Sequence, residues 1–204
     1  LEFAVQSPGY GQSVLPSHQL LLPLDRAMLA KRYPLLGDSL PGEMLIDLSG
    51  SRIVGRDKLA ILDLLGANNW QRPLYWARST PINAFANLPN YLTADGMTWR
   101  LNPISVVGTP YEEDVEHEYD LVMNKYRWFG ASDPNIYFDE NIRNTISGYY
   151  RGMLFPSLAN ALLAKGDKKR ACEVLEKCFK EINSKAVPYS RNELMLADVC
   201  YKAG

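Results

Sequence analysis

The sequence predicts an α+β fold: a small α/β layer of about three strands, followed by an all-helical, tetratricopeptide-like region. Three observations carry that expectation. Residues 97–102 alternate apolar with polar, the period of a half-buried strand, and the short apolar run Glu43-Met44-Leu45-Ile46-Asp47-Leu48 precedes them. After Pro103 the apolar residues recur at helical spacing instead. Finally, residues 158–166 have a counterpart 38 positions later, at 196–204, an internal repeat slightly longer than the usual ~34 residues. The expected divisions are an extended lead-in or linker over 1–43, the layer over 44–108 and helices over 109–204, with the repeat starting near 153.

Composition narrows the class. With 204 residues the chain can bury one generous core or two small ones, and 47% hydrophobic against 22% charged residues is ordinary for a globular protein. A net charge of −1 argues against a nucleic-acid partner, which leaves a basic footprint. The longest apolar run, Leu20-Leu21-Leu22-Pro23-Leu24, falls far short of the ~20 residues that cross a bilayer. The chain opens on Leu1 and closes on Gly204 inside a helical pattern, so it reads as cut from something longer. Cys172, Cys178 and Cys200 are odd in number and irregular in spacing, which predicts free thiols, no zinc site and no cofactor.

Taken in order, residues 1–43 are punctuated by Pro8, Gly9, Pro16, Pro23, Pro34 and Pro41, with a single short helix expected over 25–32 under an Asp25 cap. His18 falls in this segment without a partner at metal spacing. The strand over 43–48 is expected to end at Ser49-Gly50, and Asp57 to cap a leucine-rich helix that Gly66 stops. A strand from Leu74 to Ala77 would then complete a βαβ unit. Residues 79–90 read as loop, with one helical turn near Phe85. Thr109, Pro110 and Glu112 read as N-cap, first helical residue and capping box of a helix with Val115, Tyr119, Val122, Met123 and Tyr126 on one face. Its acids, and His117 among them, read as a solvated face matched to the helix dipole. Pro156 is expected to kink the helix that carries the first repeat.

Two stretches stand out chemically. Asn68-Asn69-Trp70-Gln71-Arg72 joins helix to strand, and its amides and guanidinium suit the orphan carbonyls of a helix end. That reading makes it a structural joint, with Trp70 buried against the helical region. The competing reading makes it part of a sugar or acceptor site, with Asn69, Trp70, Arg72, Trp76, Tyr91, Trp99 and Arg100 offering aromatic faces and planar polar groups. The second stretch, Asp133, Asn135, Tyr137, Asp139, Glu140 and Asn141, is rich in side-chain oxygens that suit calcium. It lacks the glycine and terminal glutamate of an EF-hand loop, so it reads as a structural motif whose Asp139 caps the next helix, with no metal.

With these motifs in view, the chain resembles the C-terminal soluble region of a family of bacterial multi-pass membrane proteins of unknown function. The resemblance rests on Asn68-Asn69-Trp70-x-Arg72-Pro73-x-Tyr75, on Tyr91-Leu92 with Gly96 and Arg100-Leu101, on Met123-Asn124-Lys125 with Trp128, and on the stretch from Asp133 to Asn141. It covers roughly residues 44 to 204. The membrane half of that family is similar to the polytopic glycosyltransferases exemplified by animal protein O-mannosyltransferases, whose catalytic acids lie in a region absent here. The resemblance therefore implies a non-catalytic, extracytoplasmic (periplasmic) domain tethered in the full-length protein. Its partners would be the membrane-embedded half of the same protein and an acceptor polypeptide or glycan. The competing expectation is a tetratricopeptide-like scaffold unconnected with glycosylation, binding peptides on the face around Asn160 and Asp198.

Overall fold

The computed structural model describes residues 19–48, 54–80, 88–128 and 130–204. The first eighteen residues with His18, the strand stop at Ser49-Gly50 and the helical turn near Phe85 lie outside the described residues. The fold is α+β, with seven α-helices and two small sheets of two and three strands among the described residues. Among the described residues no helix is long and apolar enough to cross a membrane. The chain divides into two compact units: residues 1–76, 80–93 and 100–112 form the first, and 77–79, 94–99 and 113–204 the second.

In the first unit the later part of the segment expected as a lead-in carries regular structure. Strand β1 (Gln19–Pro23) pairs antiparallel with β2 (Glu43–Asp47), placing Leu20 opposite Ile46 and Leu22 opposite Met44. All four are buried, because every second residue of each strand faces the core. Between them, Asp25 caps α1 (Arg26–Arg32) as expected, accepting from Ala27 N and Met28 N, and a 3₁₀ turn follows over Pro34–Ser39. Helix α2 (Arg56–Asn68) starts from Gly55, with Asp57 in its first turn rather than at the cap. It runs through Gly66 and ends at Asn69, whose φ of 41° is left-handed. Asparagine tolerates that conformation, so it does here what the sequence assigned to glycine.

No βαβ unit forms, because β2 and β3 (Tyr75–Ala77) belong to different sheets. The second sheet has the order β3-β5-β4, with β4 spanning Leu92–Asp95 and β5 Thr98–Leu101. Gly96, at φ 59°, makes the tight turn between β4 and β5. Around Leu29, Met44, Ile46, Leu62, Leu88 and Leu101 the unit buries one apolar cluster. A neutral polar chain crosses it: Tyr33 Oη donates to Asn102 Oδ1 (2.8 Å), Asn102 Nδ2 to Thr93 Oγ1 (2.8 Å), and Thr93 Oγ1 to Tyr111 O (3.1 Å).

The second unit is helical. Its first helix, α3 (Val115–Asp120), is capped by Asp114 and not by Thr109. Thr109 Oγ1 instead donates to Val106 O (2.7 Å), and Glu112 Oε2 accepts from Gly108 N (2.7 Å). The expected capping chemistry is present but closes a turn upstream, and the nearer Asp114 supplies the cap by accepting from His117 N. Helix α3 passes into a π turn over Leu121–Lys125, where Tyr126 N reaches back to Leu121 O (2.8 Å). Helix α4 (Glu140–Thr145), capped by Asp139, runs into nine residues of π-helix, Ile146–Leu154, and then into α5 (Phe155–Ala164). Pro156 sits in the first turn of α5, directly after this widened segment. The missing N–H and the ring are thus taken up where the backbone already departs from the α-helical spacing.

Gly166, at φ 79°, turns α5 into α6 (Lys168–Glu181), and Asp167 caps the latter. A Ser190–Glu193 capping box leads into α7 (Leu194–Ala203). Phe155, Leu158, Ala159, Leu162, Ala171 and Cys178 are buried in one core, so the small residues at helix contacts are where the repeat pattern puts them. The repeat itself is only partly realised in burial. Leu158 and Leu196 are both buried, but α7 leaves Leu194 and Tyr201 72% and 88% exposed, whereas α5 is covered on several sides.

Candidate functional site

The widened segment positions two concavities in the second unit. Residues 141, 145 and 149 fall on one stripe of the α4–π stretch, and 142, 146 and 150 on the adjacent one. The first stripe, with Asn144, Gly148 and Asn192, lines a concavity of about 550 Å3. Its lining carries three primary amides, a threonine and one aromatic ring, Tyr149, and no charged side chain. Planar amides donate and accept at once, which suits hydroxyl-rich neutral ligands.

Asn192 is fixed there by a buried charged network. Arg151, fully buried, donates from Nη1 to Val187 O (2.7 Å), from Nη2 to Pro188 O (2.8 Å), and from Nε (3.0 Å) and Nη2 (2.8 Å) to Glu193 Oε1. Its guanidinium also lies 4.2 Å from the Tyr189 ring centre. Burial pushes the Glu193 carboxyl up, but hydrogen bonds from Ser147, Arg151 and Ser190 outweigh it and hold the group below the usual carboxylate range. Gly152 lets the backbone of Asn192 come close: a Cβ there would stand 2.6 Å from Asn192 O.

The second stripe lines a cavity of about 620 Å3, closed by Met97, Tyr126, Trp128 and Phe138 with Lys125 and Arg127. Trp128 meets Tyr150 edge-on at 5.5 Å and 80°, and Tyr126 at 6.1 Å and 85°. Its indole Nε1 is shielded from solvent and has no acceptor among the described residues. Lys125 Nζ stands 2.6 Å from Asp120.

A third cluster is chiefly structural. Arg78 stacks on Trp99 at 4.4 Å and donates to Gly96 O (3.0 Å) and Glu118 Oε1 (3.4 Å). Burial raises the Glu118 carboxyl above its ordinary range, against the pull of Arg78. His117, expected to be solvated, has Nε2 2.9 Å from Asp95 Oδ1, and Glu116 takes a two-pronged contact from Arg170 (2.6 and 2.8 Å). The acidic face is therefore partly internal, because the helix starts later than expected and these acids meet arginines and a histidine from elsewhere in the chain.

The residues singled out in the sequence do not converge on one site. Asn69 and Arg72 are exposed, and Trp70, at φ 59°, is half-buried. Asn68 closes the loop, its Nδ2 donating to Arg72 O (2.8 Å) and its Oδ1 accepting from Arg72 N (3.2 Å). The local joint is thus formed, and within its own unit Trp70 packs on the apolar cluster. Trp76 and Tyr91 pack on the same cluster, with Tyr91 Oη donating to Leu45 O (2.8 Å). Arg100 is half-buried in the first unit, while Trp99 lies under Arg78 in the second. Of the oxygen-rich motif, Asp133 accepts from Asn135 N and Asp139 from Asn141 N and Ile142 N, Glu140 is exposed and Tyr137 is 84% exposed. Asn141, of this motif, lines the first concavity. Sequence reasoning missed Asn144, Tyr149, Tyr150 and Asn192; the paired i, i+4, i+8 stripes are a signal that points to Tyr149 and Tyr150.

Residues 3–119 match the family described as TMEM260-associated domain 2. No curated protein and no solved structure matches the chain. Apart from Met97, the residues that line the two concavities lie beyond the matched segment.

Proposed function

We propose that this chain, which belongs to the TMEM260-associated domain 2 family, is a non-catalytic recognition domain of a membrane protein. The parent on this reading is a glycosyltransferase similar to the protein O-mannosyltransferases, and the domain holds the acceptor polypeptide or glycan on the extracytoplasmic side, beside the membrane-embedded half. The family's tie to TMEM260, a membrane protein, supports the attachment. The observation that carries the recognition role is the charge-free concavity of Asn141, Asn144, Thr145, Tyr149 and Asn192, whose groups suit neutral sugar hydroxyls. The buried carboxylates Glu193 and Glu118 are each engaged by an arginine, Arg151 and Arg78.

Titration of the chain with α-linked mannobiose, followed by NMR shifts of side-chain amides, tests this. The expected result is saturable binding that Asn144→Ala and Asn192→Ala abolish. Absence of any saturable shift refutes sugar recognition. Peptide binding that is indifferent to both substitutions supports the competing tetratricopeptide-like scaffold.

A further inference from the structure

The two-stranded sheet of the first unit has an open side. Among the described residues β1 pairs with β2 alone, and no strand lies along its other edge. The phase of the ladder decides which groups face that edge. Leu24 N donates to Gly42 O (2.9 Å), one step beyond the Pro23–Glu43 pair, so Leu22 with Met44 and Leu20 with Ile46 are the hydrogen-bonded pairs. The residues between them turn their backbone groups away from the partner strand. On β2 this sends the Leu45 carbonyl outward, where it accepts from Tyr91 Oη (2.8 Å). On β1 it sends the Leu21 N–H and C=O outward, with the Pro23 carbonyl beyond them. These three groups have no hydrogen-bond partner among the described residues. Tyr91 thus occupies the edge of β2, while the edge of β1 stays available.

Open edges are ordinarily blunted by charge, a bulge or proline. Strand β1 carries no charged residue, and Pro23 closes only its last position. Beside the free groups, Leu21 is 57% exposed and lies opposite Leu45, itself 42% exposed. This combination selects its occupant by chemistry. A donor and an acceptor on one residue, with a further acceptor two residues along, match the backbone of an extended polypeptide. Neither a sugar nor an acyl chain repeats its polar groups at that spacing. A second copy of β1 fits less well. Antiparallel pairing of two such edges about Leu21 sets Gln19 against Pro23, which has no N–H to give, at both ends. The exposed acids Glu43 and Asp47 on the adjoining strand oppose an acidic segment.

We infer that the open edge of β1 binds an extended, neutral or basic polypeptide by antiparallel strand addition, through two hydrogen bonds at Leu21 and one at the Pro23 carbonyl. The residue of the added strand opposite Leu21 lies on the exposed face with it, and an apolar side chain suits that place. This interaction is independent of sugar recognition by the second unit.

The test uses the whole chain and a capped hexapeptide, Ser-Val-Thr-Val-Ser-Lys, with NMR titration and amide hydrogen exchange as readouts. In the free chain the Leu21 amide is expected to exchange fast and the Leu22 amide slowly, because only the latter belongs to the ladder. The peptide is expected to bind saturably and to slow exchange at Leu21. Leu21→Pro removes the outward N–H and leaves the ladder, so binding is expected to weaken ~10-fold or more, the scale of one or two hydrogen bonds. Leu21→Thr keeps that N–H and is expected to bind. Slow exchange at Leu22 and Ile46 checks that both variants fold. A peptide N-methylated throughout cannot donate and is expected not to bind. Absence of binding, equal binding to both variants, or a protected Leu21 amide in the free chain overturns the inference. Dimerisation of the chain that Leu21→Pro abolishes also overturns it, in favour of a second copy. Mannobiose binding through Asn192 is expected to be equal in both variants, so failure here and failure of the sugar reading are told apart.

Discussion

The first unit closes its interior with neutral hydrogen bonds, the second with charge. In the first, Tyr33, Asn102, Thr93 and the Tyr111 carbonyl form a buried chain with no ionised member at neutral pH, and burial raises the Tyr33 phenol further from ionisation. In the second, Arg151 with Glu193 and Arg78 with Glu118 are buried pairs. A neutral chain loses only dipole solvation when one member is removed, whereas half an ion pair leaves a charge stranded in the interior. The two halves of one small protein are therefore expected to fail under different conditions.

Arg151→Met breaks this comparison most sharply. It strands the Glu193 carboxylate, and loss of ~3–5 kcal/mol is expected from urea unfolding. Asn102→Ala, the matching cut in the first unit, is expected to cost ~1–3 kcal/mol. A larger effect for Asn102→Ala than for Arg151→Met would erase the distinction. Gly152→Ala comes next, at ~1–3 kcal/mol, because the added methyl meets the Asn192 carbonyl. It is also expected to weaken mannobiose binding by displacing that residue, which no first-unit substitution should do.

Trp70→Ala follows in the first unit. Its ring is half-buried, so the loss should stay below the ~3–5 kcal/mol of a fully buried tryptophan, and an unshifted melting midpoint would argue for a purely ligand-facing ring.

Acid titration sharpens the contrast by its sign. Glu193 is held below its ordinary range in the fold, so its stabilisation is complete above that range and is lost as pH falls through the depressed value. Glu118 works the other way: its raised value means a cost that is absent at low pH and grows as pH rises through it. Hydrogen exchange at Leu162 in the second unit should therefore change across the carboxylate range more than at Ile46 in the first. Glu193→Gln is expected to flatten its acid limb. The smallest effect concerns thiols. Burial pushes Cys178 up to about 12, so at neutral pH a maleimide should modify Cys172 and Cys200 well before it, and all three after unfolding.

How much of this was legible depended on how locally each feature is determined. Asp25 and Asp139 cap helices through their own neighbours, and Gly166 turns where its missing side chain allows, so the sequence displays them. The small residues Ala159, Ala171 and Cys178 were readable for the same reason, through a repeat pattern. By contrast, β1 exists because Leu20 and Leu22 pair with residues more than twenty positions away, and a proline-punctuated run does not announce that partner. The Asp95-Gly96 dipeptide was a fair hairpin signal that went unused. Thr109 carried the right chemistry at the wrong address, because a side-chain cap closes a turn as readily as a helix. The concavities were least legible. They depend on Asn192 and Met97 arriving from distant segments, and on a π-helical spacing that a 3.6-residue pattern does not register.

That π-helical stretch also bears on which genetic changes the domain can absorb. Ile146–Leu154 takes up more residues per turn than an α-helix, so it holds spare chain length. Deleting a single residue there would let the segment tighten toward α-helical spacing and absorb the loss locally, so that α4 would turn about the axis by far less than the ~100° the same deletion imposes on a regular α-helix. Asn141 and Ile142 would stay close to their stripes while Leu158 and Leu162 kept their places in the core. A one-residue deletion would thus be tolerated at this point, where the same change in α6 would turn part of that helix out of register.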